Sequence, residues 1–324
     1  MRVCLMIEGQ ENVTWGQWCA LADACEGFGF EGLFRSDHYD SVLNRPDRGS
    51  LDAWTTLAGL AARTRRIRLG TMVSPATFRH PSLLAKAVVT VDHISGGRAE
   101  LGIGAGWHEA EHSAYGFSFA PVRERFDVLE EQIEIVHRSW SEDQFDFKGR
   151  HYRLGGLRAL PKPLQSPHPN LIVGGKANPR SAAIAAKWAD EYNTVYGSSP
   201  DDCRRRRAIV EAAWEKENRD PSHLVFSLMT GCVVGSDEAD LKRRAGHVMA
   251  VGGEGGSVDE LLATMRSEAI AGTVEEVVDR IKEFESAGVQ RVMLQHLAHE
   301  DVEMVQLIGE QVIPAVPSAD TPRG

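Results

Sequence analysis

Short apolar runs alternate with amphipathic stretches along the chain. Residues 2–7, 31–36, 67–73, 99–104, 170–175, 190–196, 223–235 and 290–296 are compact, apolar and rich in Val, Ile and Leu, the signature of buried strands. Between them, apolar positions recur at helical spacing. Trp18, Leu21, Ala22, Cys25 and Phe28 mark a helix over 15–29, capped by Thr14 at its start and Gly29 at its end. Phe126, Leu129, Ile133 and Val136 give the buried stripe of a longer helix over 121–140. Further helices are predicted at 51–65, 81–95, 178–189, about 200–218, 236–250, 273–289 and 301–314, with a short one within 258–271.

Eight strands alternating with about eight helices predict an α/β chain, a (β/α)8 TIM barrel forming a single domain over 1–315. The last residues, 316–324, read as a disordered tail. A doubly wound open sheet is the rival, but residues 8–12 after the first strand lack the glycine-rich turn that fold uses. Residues 141–168, irregular and rich in Pro, are expected to form an insertion over the barrel's C-terminal mouth. Residues 107–120 are expected to be loop, and 251–257 a hinge.

Composition narrows the function classes. A net charge of -10 gives no electrostatic case for nucleic acid or an anionic membrane. The basic run Arg204–Arg207 reads as a solvated helix face. Five scattered cysteines form no CxxC pair, which fits reduced thiols and a cytoplasmic location. The apolar start meets Glu8 too early for a signal peptide, and no run reaches membrane-spanning length.

Candidate chemistry gathers at strand ends, where parallel α/β folds place their sites. Ser36-Asp37-His38 puts a proton-transferring imidazole beside a carboxylate that could orient it. Gly102, Gly104 and Gly106 could be simple backbone packing or a wall for a flat cofactor. Gly174-Gly175-Lys176 through Arg180, ahead of a helix, suits a phosphate or a plain tight turn. Asp92 and His93 read as structural partners at a helix end. His80, His93, His108 and His112 match neither HxH on a first strand nor HExxH, so no metal site is assigned. A metal-dependent barrel hydrolase using Asp37, His38 and His80 remains a rival.

Several motifs together resemble the bacterial luciferase-like superfamily. They are Phe34-Arg35-Ser36-Asp37-His38, Ile67-Arg68-Leu69-Gly70-Thr71, Arg79-His80-Pro81, residues 90–98, residues 101–107 and Pro161-Lys162-Pro163. They agree in order over about 1–315, and their flavour most resembles the branch using coenzyme F420, an 8-hydroxy-5-deazaflavin. FMN, used by the luciferase and alkane monooxygenase branches, is the alternative cofactor. The resemblance implies hydride transfer between deazaflavin C5 and a small organic substrate, and commonly a homodimer. It implies a third-strand bulge whose non-prolyl cis peptide, here Met72–Val73, backs the ring. It maps the catalytic pair to Asp37 and His38. Thr71, Met72, Val73, Gly104, Gly106 and Trp107 would line the ring, and Gly174, Gly175, Lys176, Thr194 and Tyr196 the phosphate and tail. One departure stands out. Sugar-phosphate dehydrogenases of this branch carry a Glu where this chain has Trp107, which leaves the acid unassigned among Glu8, Glu109 and Glu111.

Overall fold

The structure, a computed structural model, describes residues 1–195, 199–253 and 255–316. Strand β1 (Arg2–Ile7) leads through α1 (Trp15–Gly27) to β2 (Gly32–Arg35), α2 (Ala53–Arg63), β3 (Arg68–Pro75), α3 (Pro81–Ser95) and β4 (Ala99–Gly104). Next come a short helix α4 (Glu109–Tyr115), the long α5 (Val122–Ser141) and an antiparallel hairpin of β5 (Phe145–Lys148) and β6 (Arg153–Leu157). The alternation resumes with β7 (Asn170–Gly175), α6 (Pro179–Trp188), β8 (Glu191–Val195), α7 (Pro200–Lys216) and β9 (Val225–Gly235). Helices α8 (Glu238–Gly252) and α9 (Val258–Glu268), strand β10 (Ile270–Thr273), α10 (Val274–Ser286), β11 (Arg291–Gln295) and α11 (Val302–Leu307) complete it.

Eight of these strands run parallel in the order β9-β11-β1-β2-β3-β4-β7-β8, and β8 pairs back onto β9 to close the barrel. The eight runs read from the sequence are these eight strands. Helices start where the sequence supplies a cap. Thr14 and Gln17 form a capping box on α1, and Asn178 caps α6 with Pro179 behind it.

Strand periodicity stacks the barrel interior in layers. The floor is ionic: Arg291 Nη1 donates to Glu100 at 2.7 Å and to Glu191 at 3.0 Å, all three fully buried. Two residues further along, most strands turn apolar, with Met6, Phe34, Met72, Ile172, Met229 and Met293 in one cluster, while β8 places the buried Asn193 there. Another two residues reach the mouth, where β1 presents Glu8, β11 Gln295, β4 Gly104 and β7 Gly174. The same alternation that builds the core thus delivers polar groups and glycines to one end.

The insertion read at 141–168 runs along α5 between the barrel floor and the β3 loop at the mouth, where Tyr152 meets His80 edge-on at 5.3 Å. Phe145 and Phe147 pack on Ile135, Lys162 Nζ donates to Ser139 O at 2.9 Å, and Asp92 accepts from Leu164 N at 2.7 Å. The mouth is also overhung by α4, within the stretch expected to be loop, and by β9. That strand runs four residues past its last β11 pair to join β10. The expected hinge is partly helical, since α8 continues to Gly252; Glu254 lies outside the described residues. Of the expected tail, only Val316 is described.

Candidate active site

β3 carries the first half of the site. Its pairing with β4 steps from Thr71–Leu101 to Ser74–Ile103, so one extra residue bulges out, and the Met72–Val73 peptide is cis. Val73 sits over glycines of β4 and, one strand beyond, of β7. A Cβ added at Gly104 would come within 2.9 Å of Val73, and one at Gly174 within 3.0 Å. A Cβ at Gly102 would meet Thr71 O at 2.2 Å. The glycines therefore make room for the bulge, which separates Gly102-x-Gly104 from a nucleotide loop. Gly106 differs: its φ of +77° is a conformation glycine adopts without strain.

His38 stands at the end of β2. Its Nδ1 donates to Glu111 Oε2 at 2.7 Å. The ring is edge-on to Trp107 at 5.6 Å and to His108 at 6.0 Å between centroids. Burial works against a charged imidazolium, but the Glu111 hydrogen bond and charge outweigh it, and His38 titrates above its ordinary value. Burial would raise Glu111 in turn, yet its bonds from His38 and from the Tyr39 and Asp40 N–H groups hold it below the usual carboxylate range.

Asp37 does not orient His38, as its adjacency in sequence suggested. Side chains of consecutive residues leave an extended backbone on opposite sides. Asp37 turns inward, accepting from Ser74 Oγ at 2.6 Å and Arg79 Nη1 at 2.5 Å. Arg79 also donates to Asp52 at 2.7 Å and to the Tyr39 hydroxyl at 2.9 Å. This partly buried network holds the β2 and β3 loops together.

Trp107 remains 62% exposed at the mouth beside His38, an aromatic surface without a protein cover. Glu109 faces solvent on α4. Glu8 faces the barrel axis, accepting from Gln10 Nε2 at 2.7 Å and from Gln295.

Across the mouth, β7 runs through Gly174 and Gly175 into α6. A Cβ at Gly175 would strike the Tyr192 hydroxyl at 2.8 Å. That hydroxyl also accepts from Ala177 N, which fixes the turn. Lys176 is exposed at the positive end of α6. Thr194 is buried and accepts from Arg206 Nη1 at 2.6 Å. Tyr196 lies outside the described residues.

Sequence reasoning missed three groups. Glu111 was named only as a candidate acid and its bond to His38 was missed, because its helix was read as loop, although a run closed by Gly116 in a left-handed conformation is a helix-end signal. Arg206 was grouped with a solvated run; Arg204 and Arg205 do pair with Asp201 and Asp202 outside, but Arg206 turns in to Thr194. Arg79 appeared only as part of a motif. The histidines disperse: His80 caps α3, His93 bonds Lys162 O, and His112 bonds Thr77 and His108 O. Among the described residues no three His, Cys, Asp or Glu side chains cluster as metal ligands.

A sequence model described as luciferase-like monooxygenase matches residues 3–291. The chain belongs to the luciferase-like monooxygenase family. This luciferase-like chain is 33% identical over 184 residues to the F420-dependent glucose-6-phosphate dehydrogenase of Nakamurella multipartita. That match covers 56% of this chain and 52% of the relative, so the chain spans about half the relative's length. It is 26% identical over 319 residues to the FMNH2-dependent dimethylsulfone monooxygenase of Pseudomonas putida, covering 91% of this chain and 86% of that one. Its fold also matches the crystal structure of monooxygenase RslO1 from Streptomyces bottropensis. There the TM-score is 0.82 at 25% identity, over 97% of this chain and 99% of that one.

Proposed function

We propose that this barrel is a coenzyme F420-dependent oxidoreductase that exchanges a hydride with a small organic substrate. The observation that carries the reading is the β3 bulge: Val73, seated over Gly104 and Gly174, offers an apolar floor beneath the mouth. A tricyclic ring fits such a floor, because the glycines let Val73 lie close against β4 and β7. The buried Asn193 Oδ1, which has no hydrogen-bond partner, leaves an acceptor on β8 for a ligand donor.

In this reading Thr71, Met72, Val73, Gly104, Gly106 and Trp107 surround the ring. Gly174, Gly175, Lys176 and Thr194 hold the phosphate and its tail, aided by the α6 N-terminus. Bound there, the deazaflavin would supply a hydride acceptor or donor at C5. The protein's own residues position the partners, exclude water and move the coupled proton, which is the task of His38. Asp37 supports this site through Arg79. The sugar-phosphate activity in the Nakamurella relative's name is not carried over, since Trp107 stands at the position of that branch's acid. The barrel, one domain over 1–315, acts as a homodimer, as the resemblance implies, and in the cytoplasm, as its scattered cysteines suggest. No described helix is long and apolar enough to cross a membrane.

A second reading, a reduced-FMN monooxygenase, is favoured by the Pseudomonas relative, whose match spans more of this chain. Equilibrium titration with F420 and FMN separates the two. The F420 reading expects F420 to bind and FMN to bind far more weakly.

A further inference from the structure

We propose that Glu111 is the positioning residue for His38: from α4 it locks the Nδ1 edge of the ring and leaves Nε2 as the site that exchanges a proton with substrate. Its consequence for turnover rests on the oxidoreductase reading above; its geometry does not.

The Glu111 carboxylate is buried and receives three donors. Oε2 takes the His38 Nδ1–H at 2.7 Å, and Oε1 takes the backbone N–H groups of Tyr39 and, at 3.2 Å, Asp40. The backbone bonds fix the carboxylate to the loop that carries His38, so the acceptor cannot swing away when the ring's charge changes. Among the described residues, His38 Nε2 has no hydrogen-bond partner. A donor held at Nδ1 and an open Nε2 define one tautomer when the ring is neutral, and one exchangeable proton when it is charged. Asp37 does not bond the ring: its Oδ2 takes Ser74 and Arg79, and its buried Oδ1 has no hydrogen-bond partner among the described residues.

The charged groups facing His38 come from every neighbouring element. Glu111 on α4 is in direct contact, Glu8 on β1 and Asp37 beside β2 act at longer range, and His108 stands at 6.0 Å. Only Glu111 bonds the ring. A residue that merely tied α4 to the β2 loop would need the two backbone bonds alone; the third ties the carboxylate to the imidazole's protonation.

Glu111→Gln, Glu111→Asp and His38→Ala test this, alone and combined. The cofactor-free protein is titrated by nitrogen-15 NMR of the histidine side chains, which reads tautomer and protonation without activity. F420 affinity is measured in parallel, and turnover is followed against pH. The expected result is a His38 titration that falls in Glu111→Gln and recovers in Glu111→Asp, with F420 affinity unchanged. Turnover falls about 10²-fold, the size of one proton-transfer partner, and Glu111→Gln has no further effect once His38 is Ala. An unmoved His38 titration and tautomer in Glu111→Gln, or losses that multiply with His38→Ala, would overturn the assignment. Failure of wild type to bind F420 would defeat the cofactor reading and leave the NMR outcome standing.

Discussion

Val73 occupies the space that a side chain at Gly104 would need, with only 2.9 Å between Val73 Cγ2 and a Cβ built there. Gly104→Ala should therefore push on Val73 from a neighbouring strand. Overpacking of this kind costs about 1–3 kcal/mol, read as a lower denaturation midpoint, and it should disturb the ring floor enough to weaken F420 binding. Val73→Ala removes the clashing methyl groups. The double variant should regain stability relative to Gly104→Ala, a coupling that a double-mutant cycle measures. Additive losses would mean that Val73 and Gly104 do not share this space.

Asp37 should behave as a structural anion. Asp37→Asn weakens the charge-assisted bond to Arg79, which keeps Asp52 as its carboxylate partner, a loss of roughly 1.5–3 kcal/mol. Thermal or urea denaturation should show it. The pH profile of turnover should keep the wild-type shape, because His38 is held by Glu111. A displaced profile in Asp37→Asn would return the orienting role to Asp37.

The His38–Glu111 pair sets a pH window for stability. His38 titrates higher in the folded protein, so its contribution is complete below its unfolded value of about 6.5 and fades as pH rises through the raised folded value. Glu111 titrates lower when folded, so its contribution is complete above its unfolded value of about 4.3 and fades as pH falls through the lowered folded value. The stability difference between wild type and His38→Gln should be largest in mildly acidic buffer and shrink at both ends. A difference independent of pH would contradict the pairing.

Trp107 should act on substrate binding. Its exposed indole beside His38 offers an apolar face, and one aromatic contact is worth roughly 1 kcal/mol. Trp107→Ala should raise KM several-fold with a smaller change in kcat. The reverse pattern, a kcat loss with KM kept, would give the residue a part in the chemistry.

The barrel was legible because its strands are buried on both faces and read as continuous apolar runs, each followed by a patterned helix. His38 and the glycines were legible because each sits at a strand end, where the interior alternation terminates. Glu111 was not, since its link to His38 joins positions 73 residues apart through a two-turn helix with few apolar residues. Nor was the inward turn of Arg206, which four consecutive arginines disguise. The hairpin at 145–157 was read only as irregular chain for a related reason. Its Phe145 and Phe147 alternate with polar residues, but which surface they cover is decided by α5, not by the hairpin's own pattern.

The most direct measurement is the affinity of the purified protein for oxidised F420 and for FMN, titrated side by side and repeated with Gly104→Ala. Saturable F420 binding that weakens in the variant, with much weaker FMN binding, is the predicted result. Tight FMN binding with no F420 binding would contradict the deazaflavin assignment and move the protein to the flavin monooxygenases of its family.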